Sequence, residues 1–541
     1  KKRTHYILLG LLLLIIVFLR VFHLGRTPLG MHIDEAGLGL NAWSIANYAT
    51  DRYGNFMPVC PSNFYGEQSA FYTYFCALLV KLFGLNLYTL RLPGAVMGVL
   101  AVVFGALLIR EKWGTKGFYA GLVMLGIFPY FIMNSRFALD CNAMLGSLTI
   151  ALYCLVRLVK KAEREPEQKL YGQFVLTGVL FGIVLYTYII AALVVAVFFI
   201  FFGLYYLFYK KEHRPLRFLQ LFFLAAPLCV MAVPLILVVC VNYFGLEPIV
   251  TPFFSVPRMI TNRTGEVTFS LSALPGKLRG LLHTLTSDGM YGSSEKYFTL
   301  YPWSIPFVLA GSFHTLWRSV QSFRRRRITT DFCILLLTFA EVIMFLLCGQ
   351  YNYHINGIFV ALAYFCVSGI LLTLRLIKKE FFRVSVFGIL LYFYWNSFLA
   401  FTADYFRPDI TMAFQVFGGV DAALALLPEE YASRDIYILD EVGEFYFLSN
   451  PIPPEEFSAA CNELGYITDY GSLHFYQPDS YSTNAVYLCN RASGAYHTLS
   501  QMNVNGCRYR VIKTRHYAVF YWDARSNIPQ QSKGVLWPPQ Y

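Results

Sequence analysis

Two adjacent carboxylates, Asp34 and Glu35, lie in the stretch that follows an apolar segment, Tyr6–Leu24. Carboxylates beside hydrocarbon are costly and are kept there for a task or a partner. The task open to them is that of a general base, taking a proton from a hydroxyl as its oxygen attacks a carbon. The local sequence equally allows Asp34 to do no more than cap the helix that starts there. A second cluster, Asn134-Ser135-Arg136-Phe137-Ala138-Leu139-Asp140, sets a cation and an anion four residues apart. On a helix these would pair across one face. Alternatively, Arg136 offers a planar fork to a phosphate and Asp140 orients a group in the same cleft. In the third cluster, Asn352-x-His354-x-Asn356, a helix puts the two asparagines on one face. An extended chain points all three side chains one way, leaving His354 to donate to a phosphate or to sit as an interfacial histidine.

The signatures of familiar soluble enzymes are absent: no H-E-x-x-H, P-loop, G-x-S-x-G or D-x-D occurs. Gly37-x-Gly39-x-x-Ala42 follows no strand and opens no βαβ unit, so it is not a dinucleotide site. The 12 cysteines contain no C-x-x-C. Cys461, Cys489 and Cys507 lie near the end of the chain and allow at most one disulfide among themselves.

What must position these clusters is a membrane scaffold. Hydrophobic residues make up 57% of the 541 and charged residues 14%, with mean hydropathy +0.50. No soluble fold hides so much apolar surface. About 20 apolar residues cross a bilayer. Eleven spans are expected near Tyr6–Leu24, Leu92–Ile109, Phe118–Met133, Asn142–Leu158, Gly172–Tyr186, Ile189–Leu207, Phe218–Val239, Tyr301–Leu316, Phe332–Leu347, Ile358–Leu376 and Val384–Ala400. The first, though preceded by Lys1, Lys2 and Arg3, lacks a signal-peptide cleavage site and reads as a retained helix.

Charge tests that count. Alternate connections hold Arg110/Lys112/Lys116, Arg157–Lys169, Lys210–Arg217, Arg318 with the run Arg324–Arg327, and Arg375–Arg383. With the N-terminus, these carry 24 of the 44 Lys and Arg, all on one side. The net charge of +12 is therefore the positive-inside pattern and no nucleic-acid footprint. The expectation is a multi-pass protein of the cell (plasma) membrane with a cytoplasmic N-terminus. The outer side would receive the first loop (25–91), Asn134–Cys141, the proline-rich loop 242–300, Gly349–Gly357 and the C-terminal residues. In the first loop Glu35–Tyr48 reads as helical, and Ser69–Phe83, too short to cross, lies along the interface. Loop 242–300 reads as an irregular lid.

Residues 1–404 thus form a transmembrane catalytic domain. Residues 405–541 form a small extracytoplasmic α+β domain with strands at Asp435–Leu439, Leu473–Tyr476, Ala485–Leu488 and Tyr509–Trp522, the last turning near Lys513–His516. Pro453–Leu464 reads as a helix.

An ordered set of residues resembles a known group: Pro28-x-Gly30, Asp34-Glu35, Ser69–Tyr74, Phe83-Gly84, Arg91-Leu92-Pro93, Ser135-Arg136-Phe137 and Asp140. Asn352–Gly369 and Ser287-Asp288-Gly289 before Tyr301-Pro302 add to it. The set resembles the protein O-mannosyltransferase and aminoarabinose-transferase group of GT-C glycosyltransferases, over about Tyr6 to Ala400. The resemblance implies a polytopic α-helical, GT-C-like fold and an inverting glycosyltransferase. A sugar on polyprenyl phosphate would pass to an extracytoplasmic acceptor hydroxyl. Catalytic candidates are Asp34, with Glu35 and Asp140; donor-binding candidates are Arg136, Arg91, His354 and Arg263. Glu67, Asn352 and Asn356 are candidates on the acceptor side. Other outer cations are Arg52, Arg258 and Lys296. Some branches use a divalent metal, for which no convincing ligand set is seen. The group's insertion in the long outer loop is missing, which favours a glycan, glycopolymer or lipid acceptor over a protein. The rival reading is a transporter or flippase of lipid-linked sugar; Glu341, alone within a span, is its best support.

Overall fold

The computed structural model describes residues 2–63, 66–165, 168–207, 216–259, 272–287, 297–325, 327–348, 352–407, 417–439, 442–463, 465–504 and 509–523. Among the described residues, fourteen α-helices precede residue 406: α1 (Lys2–Val21), α2 (Ile33–Tyr48), α3 (Ala70–Phe83), α4 (Leu87–Ile127), α5 (Pro129–Met133), α6 (Asn142–Arg164), α7 (Tyr171–Leu185), α8 (Ile189–Leu207), α9 (Phe218–Tyr243), α10 (Leu274–Thr286), α11 (Ile305–Arg324), α12 (Thr330–Cys348), α13 (Asn356–Leu376) and α14 (Glu380–Tyr405). Among the described residues, seven of these helices are long and apolar enough to cross a membrane. α4 is two arms in one, because Gly114 at φ 62° breaks it. The arms fold back so closely that a Cβ on Gly121 would stand 2.9 Å from Ala106 Cα. With α1, α7 and α11, which are shorter or less apolar, every expected span has a helix. Large apolar side chains such as Val230, Phe313, Phe381 and Trp395 point outward, as lipid-facing residues do.

The described residues of the basic connections gather at one end of the bundle. There Lys112 bonds Asp331 at 2.5 Å, Lys160 bonds Glu111 at 3.1 Å, and Tyr205 donates to the Arg327 carbonyl at 3.1 Å. The opposite end carries α2, α3 and two short hairpins, β1–β2 (Ser62–Asn63, Gly66–Glu67) and β3–β4 (Ile249–Val250, Ser255–Val256). The two long loops meet there, Val59 N donating to Ser255 O at 2.9 Å.

Buried arginines bind α1 to the rest. Arg20 donates to Ile16 O, Gly126 O and Leu125 O. Arg136 donates to the carbonyls of Leu19, Arg20, Phe22 and Thr27. The last turn of a helix leaves carbonyls unpaired, and cations complete them.

The C-terminal part holds β5 (Ile436–Leu439), β6 (Asp469–Tyr470), β7 (Leu473–His474), β8 (Val486–Asn490), β9 (Tyr509–Lys513) and β10 (Tyr517–Trp522) in one sheet of order β6-β7-β5-β8-β10-β9. β5 runs parallel to both neighbours and the other pairs are antiparallel. Helices α15 (Gly419–Leu424), α16 (Gly443–Ser449), α17 (Pro454–Ala460) and α18 (Gly494–Val504) surround it. The helix expected over Pro453–Leu464 stops at Ala460, where Cys461 bridges to Ile467 instead. Cys461 and Cys489 are not joined to each other, and Cys507 lies outside the described residues. This part is no detached appendage: Phe447, Leu448 and Phe457 share one apolar core with Ala36 and Leu38 of α2.

Candidate active site

The neighbouring carboxylates point to different places. α2 is capped by His32, whose Nδ1 accepts from Asp34 N at 3.1 Å. Asp34 is therefore not the cap, and its side chain stays 40% exposed, with Asn63 Nδ2 3.4 Å from Oδ1 and His32 Nδ1 3.4 Å from Oδ2. Glu35 is 0% exposed and closes the capping box by accepting from His32 N at 3.0 Å. Its oxygens also accept from Arg91 Nε at 2.9 Å, Arg91 NH2 at 3.0 Å and Ala138 N at 2.7 Å. Arg91 spends its remaining donors on the carbonyls of Leu24, Pro28 and Gly30. The pair fastens the loop before α2 to α4 and to the 137–138 turn. Glu35, a catalytic candidate by sequence, and Arg91, a donor-binding candidate, are both sealed from solvent.

Arg136, a further donor-binding candidate, is buried in the same way. It ends a 3₁₀ turn, Asn134–Arg136, and gives its four bonds to carbonyls, with Phe406 against its guanidinium. Residues 137–141 are not helical, so Arg136 and Asp140 share no helix face. Asp140 turns the other way and accepts from Ser69 N at 2.9 Å and Cys141 N at 2.7 Å.

Asn352–Ile355 is a 3₁₀ turn and Asn356 begins α13, so the extended alternative does not hold. Asn356 is buried, accepts from Tyr130 OH and Asn134 Nδ2, and donates to Cys141 O at 2.7 Å. It ties α13 to the 134–142 turn and is closed to an acceptor. His354 is 6% exposed and lies beside the rings of Tyr353 and Tyr188. Glu341 is buried, with its Oε1 2.1 Å from where a Gly357 Cβ would stand, at the first turn of α13. That is a place where a helix favours an anion. Arg263 and Lys296 lie outside the described residues.

A cleft of about 530 Å³ opens between α8 and α9, lined by apolar groups such as Leu193, Phe199, Ala232 and Ile236. Its polar lining comes from Glu67, Asn242 and Tyr243, near the loop end. A narrower recess continues past Glu67 to Cys60 and Ser69. Burial pushes the Cys60 thiol up, and the carboxylates of Glu67 and Asp140 nearby push it the same way. Hairpin β1–β2 is thus the hinge of the site, with Asn63 at Asp34 and Glu67 at the cleft. Asn242 holds the next loop by accepting from Met259 N at 2.6 Å and donating to Pro257 O at 3.2 Å. This sets exposed Arg258 beside the mouth. Among the described residues, no group of three or more His, Cys, Asp and Glu is placed to hold a metal ion.

Sequence reading passed over Asn63, whose role appears only when the hairpin folds onto α2. The signal was present in Gly37-x-Gly39. A Cβ on Gly37 would stand 1.9 Å from Asn63 Oδ1, and one on Gly39 would stand 2.5 Å from Leu448 Cδ1. Both glycines exist for close approach.

Residues 67–241 match a family model described as dolichyl-phosphate-mannose-protein mannosyltransferase. No curated protein is similar enough along its sequence to count as a match. ArnT from Cupriavidus metallidurans, solved bound to undecaprenyl phosphate, aligns at 14% identity and TM-score 0.55, covering 98% of this chain and 100% of that chain. The archaeal oligosaccharyltransferase AglB from Archaeoglobus fulgidus, in complex with an inhibitory peptide and a dolichol-phosphate, aligns at 14% identity and TM-score 0.53, covering 98% of this chain and 75% of that chain.

Proposed function

We propose that this chain, which carries the fold of the GT-C glycosyltransferases, transfers a sugar from a polyprenyl-phosphate donor to an acceptor hydroxyl. The observation that carries the reading is one open carboxylate, Asp34, joined through a short hairpin to a long apolar cleft. The prenyl chain lies between α8 and α9, and the phosphate rests at the polar mouth. Arg258, exposed beside Asn242, takes the phosphate role that the sealed Arg91 and Arg136 cannot fill, with Arg263 and His354 as further candidates. Asp34 accepts the acceptor's proton as that oxygen attacks C1. The C1–O bond to phosphate breaks on the opposite face, the configuration inverts, and polyprenyl phosphate leaves with its charge held by the cations. Glu67 and Asp140, near the recess below, orient donor and acceptor.

The basic end of the bundle faces the cytoplasm, and the loop end, with the C-terminal domain, faces outward. A glycan, glycopolymer or lipid is the favoured acceptor. Native mass spectrometry of the purified chain tests the reading by its co-purified lipid. A polyprenyl phosphate, free or sugar-loaded, is expected, with transfer in detergent that Asp34→Asn slows by orders of magnitude. Phospholipid alone, with no transfer from any polyprenyl-phosphate sugar, would overturn it. Transfer in detergent also excludes the transporter, which forms no product there.

A further inference from the structure

The C-terminal domain touches the loop that bears Asp34 through charged as well as apolar contacts. Arg52, 2% exposed, reaches from the end of the first loop's helix-turn to Glu444 on α16, NH2 to Oε1 3.7 Å, and Glu444 is 0% exposed. The guanidinium lies over the ring of Phe457, at 5.5 Å from its centre, and donates to Tyr53 OH at 3.0 Å. Tyr53 OH in turn lies 3.3 Å from Gly465 O. Burial pushes the Glu444 carboxyl up and Arg52 pulls it back. So long as Glu444 stays ionised it fixes where the arginine points.

The other arm of the same guanidinium lies against the helix that carries Asp34. Arg52 NH1 and Asn63 Oδ1 stand 2.7 and 1.9 Å from the same point, the site of a Cβ on Gly37. They pack side by side over Gly37, which leaves them room, without a hydrogen bond joining them. The remaining end of Asn63, its Nδ2, is 3.4 Å from Asp34 Oδ1. A continuous line of side chains therefore runs from α16 to the open carboxylate: Glu444, Arg52, Asn63, Asp34. α16 itself packs on α2, with Leu448 filling the notch at Gly39.

We propose that Glu444, Arg52 and Asn63 are positioning residues for Asp34, so that the C-terminal domain is a structural part of the catalytic site. The proposal rests on the reading of Asp34 as the base. It departs from a two-part chain in which residues 405–541 only select an acceptor. The carboxylate is aimed through Asn63, and Asn63 packs over Gly37 beside an arginine whose orientation the last domain sets. A misplacement of a reacting group by about 1 Å costs up to about 10²-fold in rate, so an indirect hold of this kind is felt in turnover.

The test uses the full chain and four variants, Glu444→Gln, Glu444→Asp, Asn63→Ala and the double of Glu444→Gln with Asn63→Ala; glutamine keeps the shape of Glu444. Amide hydrogen exchange over 33–40 is read with the protein alone. Single-turnover consumption of the lipid-linked sugar that co-purifies is read beside its occupancy by native mass spectrometry. In Glu444→Gln, exchange over 33–40 should rise by roughly tenfold while β5 and β8 stay protected. The transfer rate should fall on the order of tenfold with donor occupancy within about twofold. Glu444→Asp, which keeps the charge, should recover part of the rate. The double variant should be no slower than Asn63→Ala alone. Unchanged exchange over 33–40 in Glu444→Gln, or rate losses that multiply, would overturn the proposal. If no lipid-linked sugar turns over in any form of the chain, the transferase reading fails, and the exchange arm still decides whether the domain holds α2.

Discussion

Changing each neighbouring carboxylate to its amide should have opposite consequences. In Glu35→Gln the side chain keeps one oxygen where two now receive four N–H groups, from Arg91 Nε and NH2, Ala138 and His32. Two of those donors would face an NH2 that is itself a donor. Arg91, 0% exposed, would lose its counter-charge with no water to replace it. Breaking a buried pair from one side costs about 3–5 kcal/mol, and each orphaned donor about 1–3 kcal/mol. These overlap, so about 3–5 kcal/mol is expected in total, seen as a clearly lower melting temperature and a loosened 24–35 loop. Asp34→Asn caps nothing, is 40% exposed and can still accept from Asn63. Its stability should stay within about 0.5 kcal/mol of wild type, while sugar transfer falls by roughly 10²–10⁴-fold with donor still bound. Thermal unfolding of the detergent-solubilised full chain, paired with single-turnover transfer, reads both. Wild-type transfer by Asp34→Asn would refute the base assignment. A wild-type melt for Glu35→Gln would refute the idea that the buried pair holds the loop.

Arg136→Ala should lower the melting temperature of the solubilised chain and leave the affinity of any donor bound by the folded fraction within about twofold, because its donors go to carbonyls of α1 and the turn after it; a selective loss of donor-lipid binding with an unchanged melt would restore the phosphate role. Ala232→Trp should fill the cleft between α8 and α9 and remove co-purified lipid from the native mass spectrum without unfolding the chain; undiminished lipid would move the prenyl site elsewhere. Impermeant thiol reagents applied outside intact cells should label a single cysteine placed at Asp34 and none placed at Arg325; the reverse pattern would invert the proposed orientation.

The scaffold was legible because its signals are local and repeated. Runs of apolar residues and alternating basic connections need no knowledge of contacts, and each expected span has a helix. Even the break between two spans was visible as a charged stretch, which the fold turns at Gly114. The site was legible only to the level of the loop. Asp34 and Glu35 are neighbours in sequence yet about 100° apart on α2, and which one is sealed depends on Arg91, 56 residues away. Arg136 looked like a phosphate ligand because an arginine's type says what it can bind, not which carbonyls reach it first. The link from Glu444 to Arg52 joins positions almost 400 residues apart, beyond any reading of spacing.

The way Arg20 is held sets a timetable for making the protein. Its partners besides Ile16 are the carbonyls of Leu125 and Gly126, which lie over a hundred residues later in the chain. At about 5–20 residues per second of synthesis, they leave the ribosome roughly 5–20 seconds after Arg20 does. For that interval the helix holds in its last turn a cation without its final acceptors, at a cost below the about 2.5–3.5 kcal/mol that insertion scales give a central arginine. It can reduce that cost only by reaching toward the headgroups. This helix is thus seated well after it is made, and its final depth is decided when the second arm of the α4 hairpin arrives.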